Sequence, residues 1–404
     1  MTQPSSLPPF LRPLLIWIAG ILIHTNFRPG ACSFILLLPP LALLIGSAWL
    51  SESCGGAGRA CRSSGRLWGI AFGCMLLFAA IQTAALHEAR LSAAEGTPTW
   101  SRRWAEQTRA KLAEPVSSLN MSDDAKAFLI AITIGSREGM SSNLRRSFSA
   151  AGAAHILVVS GFHVGVLCSC VSLLLSFLSN RLTGRIIRFL LTMTAVWTFA
   201  LVTGLAPPTM RAALTISLSL CAKLAGRSSK GFNNLCAAAF IALVCFPYDL
   251  FSLGFQLSYI AVAGIIFLQP RIFSLIEVQN PILRIPWESI SLSLAAQAGV
   301  SFLCIYYFGQ LSTVFILTNL YVGLLALVLI PAAMLWMLLP GRFALQQAVG
   351  RGLEILSENI VWTIDRLARA PGATLNLSLS KGLTLFCYAS LLLSLYFFSA
   401  KTKL

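Results

Sequence analysis

Hydrophobic runs of roughly membrane-spanning length recur along almost the whole chain, and they decide what it can fold into. They lie at 10–26, 31–50, 67–87, 150–178, 186–204, 209–225, 232–246, 255–269, 290–307, 311–339 and 382–400. A lipid-crossing helix needs about 20 apolar residues. Of the 404 residues 56% are hydrophobic and 11% charged. An ordinary soluble domain has no interior for that many apolar side chains and carries about 25% charge. In lipid every backbone N–H and C=O must be satisfied within the segment, which leaves the helix for runs of this length. The expected fold is therefore all-α: a polytopic integral membrane protein with about eleven transmembrane helices plus amphipathic interfacial helices. Three regions follow: a three-span segment at 1–87, a polar extracytoplasmic loop with an amphipathic helix at 88–147, and the main transmembrane domain at 148–404.

Charge sets the expected orientation. Lys and Arg number 30 against 14 Asp and Glu, a net +16. Basic loops stay on the cytoplasmic side, and a basic surplus also suits a polyanion. Arg59, Arg62 and Arg66 place the 51–66 loop, and with it the N-terminus, in the cytoplasm. The 179–188 loop (Arg181, Arg185, Arg188) and the 223–230 turn (Lys223, Arg227, Lys230) fall on the same side. No small-residue cleavage pattern follows the first run, so a retained span is expected there. Within 88–147, residues 122–134 pair an acidic first turn (Asp123, Asp124) with apolar positions at helical spacing, which predicts an amphipathic helix on the membrane or against the bundle. Residues 341–370 are half polar, and a span miscounted there flips the C-terminal side. The 11 cysteines are scattered, without CxxC pairs or neighbouring His, so neither a zinc site nor a disulfide framework is expected.

In a bilayer the informative residues are polar ones at membrane depth, each costly unless it faces the bundle or water. His155, Ser160, Gly161 and His163 share one hydrophobic run. A Ser-Gly step can interrupt a helix and leave backbone amides at a half-helix N-terminus, which attracts anions. The alternative is a kinked helix whose Ser and His bond to nearby carbonyls. In 204–211, Pro207 and Pro208 suit a helix start and place Arg211 in the first turn. A cation there opposes the helix dipole unless an anion intervenes, or unless the side chain snorkels to headgroups. Gln256 and Tyr259 share a helical face. Gln297 lies among small residues that permit close helix contact, and an interhelical hydrogen bond is the simplest use of either glutamine. Tyr306, Tyr307 and Phe308 read as an interface belt.

No enzyme is expected. Acidic residues are nearly absent from the spans, no carboxylate is placed to orient a Ser160–His163 dyad, and HExxH, Walker A and GxGxxG are missing. Neither a metal nor a cofactor site is indicated.

Taken in order, four segments resemble the ComEC family of competence DNA-uptake channel proteins. The first is Gly152-Ala153-Ala154-His155-Ile156-Leu157-Val158-Val159-Ser160-Gly161-Phe162-His163-Val164-Gly165, similar to the family's AHLLAISGLHVG signature and preceded by a matching approach, Ile134-Gly135-Ser136-Arg137…Phe148. The others are 204–211, Gly254-Phe255-Gln256-Leu257-Ser258, and Ala295-Ala296-Gln297 with Tyr306-Tyr307-Phe308-Gly309-Gln310. The resemblance covers about 125–335. It implies a channel in the bacterial cytoplasmic (inner) membrane that passes single-stranded DNA inward during natural transformation. His155, Ser160, Gly161, His163, Arg211, Gln256, Tyr259 and Gln297 are the candidate lining of its path. It further implies an extracytoplasmic DNA receptor, a cytoplasmic motor or strand-binding protein, and possible homo-oligomers. Residues 88–122 are too short for the family's OB-type domain, and no HxHxDH cluster marks its metallo-β-lactamase-like nuclease domain. Strand degradation is therefore expected from a separately encoded protein. The rival reading is a secondary transporter or channel for a small anion, which a broken helix and an Arg at a helix start fit equally well. An intramembrane hydrolase built on Ser160 and His163 is a third.

Overall fold

The computed structural model describes residues 8–28, 60–93, 100–179, 181–227, 231–338 and 344–401. Among them are fourteen α-helices: α1 (Leu11–Phe27), α2 (Ala60–Ala93), α3 (Trp100–Ala113), α4 (Asp123–Ile134), α5 (Ser142–Ala150), α6 (Gly161–Leu174), α7 (Leu182–Val202), α8 (Pro207–Leu224), α9 (Gly231–Cys245), α10 (Leu253–Phe273), α11 (Pro281–Phe308), α12 (Phe315–Leu338), α13 (Ala344–Ala368) and α14 (Lys381–Lys401). The fold is that of an all-α membrane protein. Among the described residues five helices are long and apolar enough to cross a membrane: α7, α10, α11, residues Trp68–Arg90 of α2, and Phe315–Met337 of α12. Helices α1, α6 and α9 are apolar but shorter. The run at 31–50 lies outside the described residues.

Two compact units are present, 1–97 with 229–255 and 98–228 with 256–404. In the first, α1 packs on α2 and α9. Gly20 permits that approach: a Cβ there would stand 2.6 Å from the Ala80 methyl. The Trp17 indole N–H donates to the Leu243 carbonyl at 3.2 Å.

The core of the second unit is α4. Ser122 caps it, its Oγ accepting from Ala125 N–H. Eight of its twelve residues are buried, among them Phe128, Leu129 and Ile132 with no exposure. It is therefore an enclosed pillar, held against the bundle and not laid on the membrane. Phe128 stacks near Phe148 of α5 at 5.4 Å, and α12 and α13 close over both. Helix α13 is the 341–370 segment. It buries Leu353, Ile360 and Ile364 while leaving Ile355 and Trp362 exposed, and its Glu354 and Glu358 accept the backbone N–H groups of Asn120 and Ser122.

Several boundaries differ from the sequence reading. Helix α2 reaches back to Ala60, so the 51–66 stretch is not all loop. Arg185 and Arg188 lie on α7, not in a loop. Arg185 donates to the carbonyls of Lys223 and Leu224 at the end of α8, and Arg188 to that of Leu178 just beyond α6. Cations at helix carboxyl ends are favoured by the dipole, so these charges have local work besides setting orientation. Helix α11 begins at Pro281, nine residues before the 290–307 run. Asn280 caps its first turn, where a proline costs nothing. Two short strands, β1 (Gln310–Ser312) and β2 (Thr374–Asn376), pair antiparallel with Leu311 opposite Leu375; no period-2 pattern announced them.

Candidate functional site

The 150–178 run is not one helix. Helix α5 ends at Ala150 in a Schellman motif: Gly152 N–H bonds to Ser149 C=O at 3.0 Å and Ala153 N–H to Phe148 C=O at 2.8 Å. Gly152 takes φ +76°, and a Cβ there would come within 2.9 Å of both Phe315 and Ser312 Cβ atoms, so glycine is required twice over. The chain then runs without helix to Ser160, and α6 starts at Gly161. Its 14 residues rise about 21 Å, short of a full crossing.

Ser160 and His163 build that start. Ser160 N–H donates to His163 Nδ1 at 3.1 Å, and Phe162 N–H donates to Ser160 Oγ at 3.3 Å. This is a capping box with His in the place usually held by Glu or Gln. The interruption predicted at the Ser-Gly step is present, but the two side chains serve as cap and third residue, not as neighbours on a continuing helical face. Accepting at Nδ1 assigns the ring proton to Nε2. That Nε2 is buried and has no hydrogen-bond partner among the described residues. Ser160 Oγ lies 3.0 Å from Nδ1, a distance a nucleophilic pair would show, yet this nitrogen is already committed to the cap.

Arg211 meets this helix start from α8. Ala206 is the N-cap, with Pro207 and Pro208 opening the helix. Arg211 is thus the fifth residue, just past the first turn expected for it. Its side chain crosses to Gly161, where an added Cβ would stand 2.5 Å from its Nη2, so that any larger residue would displace the guanidinium. Its Nε donates to Ser258 Oγ on α10 at 2.5 Å. The Thr209 hydroxyl donates to the Val159 carbonyl at 3.3 Å, tying the start of α8 to the residue before Ser160. Val159, Val164, Val196, Phe199, Ala212 and Ala213 pack around the junction.

The electrostatics of this junction are unbalanced. Arg211 is 8% exposed, and among the described residues no carboxylate pairs with it. A buried charge is costly unless paired. The guanidinium also lies against Gly161, at the positive end of α6. Half a charge against a full one at roughly 4 Å and an effective dielectric of 20 is about 2 kcal/mol of repulsion. An anion bound beside both the guanidinium and the helix end would reverse both terms.

Comparison with known proteins locates these features. The sequence model described as Competence protein matches residues 132–402. The chain belongs to the competence protein family. ComE operon protein 3 of Bacillus subtilis (strain 168) is 28% identical over 245 residues, which cover 60% of this chain and 30% of that protein. The match therefore spans under a third of that relative's length. No solved structure matches the chain. The matched competence region contains α6, α8, α10 and α11, and so every residue singled out as candidate path lining.

Within that region the candidates do not all converge. Ser160, Gly161, His163 and Arg211 do, with Tyr259 in electrostatic range of Arg211 and His155 in range of His163. His155 is exposed in the irregular stretch before them. Gln256 and Tyr259 share a face of α10, and Gln256 accepts from the Tyr307 hydroxyl at 3.2 Å. Gln297 is half-buried on α11, beside the place where Gly264 and Gly299 bring α10 and α11 together. Ser258, which accepts from Arg211 Nε, is legible in the sequence only as part of a motif. A further polar cluster was missed: in the first unit His24 Nε2 lies 2.9 Å from Glu88 Oε2, which also accepts from Tyr248 OH at 3.2 Å. Its signal was present as a His and a Glu near the ends of two apolar runs.

Proposed function

We propose that this protein takes part in competence DNA uptake by passing incoming DNA, as a single strand, across the bacterial cytoplasmic membrane. The observation that carries this is the buried Arg211 guanidinium set against the amino end of α6, with no carboxylate partner among the described residues. A strand that must pass whatever its sequence needs phosphate contacts and tolerant surfaces, not base readout. The chain acts as conduit and not as enzyme; a DNA receptor outside and a motor or strand-binding protein inside complete the pathway, with the N-terminus in the cytoplasm. Membership of the competence protein family supports the reading, as does the basic surplus.

The test is uptake of labelled DNA by cells carrying Arg211→Gln at normal protein level. Transformation falls by at least tenfold if the guanidinium handles phosphate; undiminished transformation removes it from the mechanism. The same junction would suit a small anion. Deletion of the gene separates the two: lost transformation with normal solute uptake supports DNA, and the reverse supports the anion.

A further inference from the structure

Beyond the phosphate site, the aromatic group at the end of α11 has no role in what has been described. Tyr306 and Tyr307 stand edge to face with ring centroids 4.8 Å apart, and they are 39% and 43% exposed. An interfacial belt would send their hydroxyls out to headgroups. Tyr307 instead commits its hydroxyl to Gln256 on the neighbouring α10, while the residue as a whole stays 43% exposed. Gln256, Ser258 and Tyr259 occupy the first two turns of α10. At 100° per residue they fall within an arc of about 160°, which Phe255 shares. Ser258 is at the Arg211 end of that arc and Tyr307 at the other. Past Gly309 the chain turns back, and Gln310 Nε2 donates to Ser149 Oγ at 2.7 Å, at the end of the helix that leads into the Ser160 segment. The rings are thus tied on both sides to the elements that build the phosphate site.

We propose that Tyr306 and Tyr307 form a stacking platform for the bases of the strand whose phosphates are held at Arg211. The inference rests on the reading of Arg211 above and deepens it: the substrate is a nucleic acid with unpaired, accessible bases, not a duplex or a free anion. Every base has a face that stacks on an aromatic ring, so such a platform accepts any sequence.

The test uses the full chain in lipid nanodiscs and two fluorescent probes of equal length, an oligothymidylate and an abasic sugar-phosphate strand. In the double variant Tyr306→Leu/Tyr307→Leu, affinity for the oligothymidylate falls about tenfold, while affinity for the abasic strand is unchanged. Leucine keeps the apolar surface, so a mere lipid contact survives the change. Tyr307→Phe, which keeps the ring, binds oligothymidylate within about twofold of wild type and serves as the folding control, with Tyr306→Leu alone read if the double variant does not fold. Arg211→Gln weakens both probes. Equal weakening of both probes by the leucine changes, or of neither, overturns the platform while leaving the phosphate site standing. Undiminished binding of the abasic strand by Arg211→Gln overturns the phosphate site itself.

Discussion

Arg211 is kept where it costs stability. It is buried beside a helix amino end, its Nε bonded to the neutral Ser258 hydroxyl, and replacing such a charge by an apolar side chain of similar length is neutral or stabilising in many proteins. Arg211→Met should therefore raise the thermal unfolding midpoint of the detergent-solubilised protein while lowering DNA uptake. A fall in both would make the residue structural. His163 works in the opposite sense, because its ring closes the cap on Ser160. His163→Ala is expected to cost about 1 kcal/mol, seen as a lower unfolding midpoint, and His163→Gln, the usual residue at this position of a capping box, should recover most of it.

At the scale of elements, α4 and the α10–α11 contact hold the site in place. Phe128 is fully buried in α4 against Phe148, and Phe128→Ala should destabilise the second unit by about 3–5 kcal/mol, measured as loss of folded protein on size-exclusion chromatography after heating. Gly264 lets α10 lie close on α11: a Cβ there would meet the Ala295 carbonyl at 2.8 Å and the Gly299 Cα at 3.2 Å. Gly264→Leu should push the helices apart and abolish transformation with the protein still in the membrane; normal transformation would show the contact to be dispensable. Element types were largely readable beforehand, because in apolar surroundings the backbone has few other choices. Element limits were less so. Helix α11 starts early because Asn280 and Pro281 cap it, and the apolar run from 150 breaks because Gly152 leaves the helical region and Ser160 begins a new helix. The amphipathic α13 matched a crossing and a packed helix equally until its carboxylates met the backbone of Asn120 and Ser122.

For the whole molecule, the surplus of 16 positive charges predicts strand binding that weakens steeply with salt. For single strands the slope of log affinity against log salt is about 0.7 per phosphate neutralised. Arg211→Gln should lower that slope by about that amount in a titration with oligothymidylate; an unchanged slope would mean that the guanidinium touches no phosphate. Sequence alone determined that the chain belongs in a membrane, that it is helical, and that the Ser160–Gly161 step is a place where a hydrophobic run can break. Each of these follows from local chemistry: the length of apolar stretches, the solvation of backbone groups, the preference of Ser for a helix start. Only the tertiary structure decided that Arg211 meets Gly161, 50 positions earlier, and Ser258, 47 positions later, and that Tyr307 turns toward Gln256. Those meetings depend on which helices pack together and how closely, and packing is settled by the shape of all the faces at once.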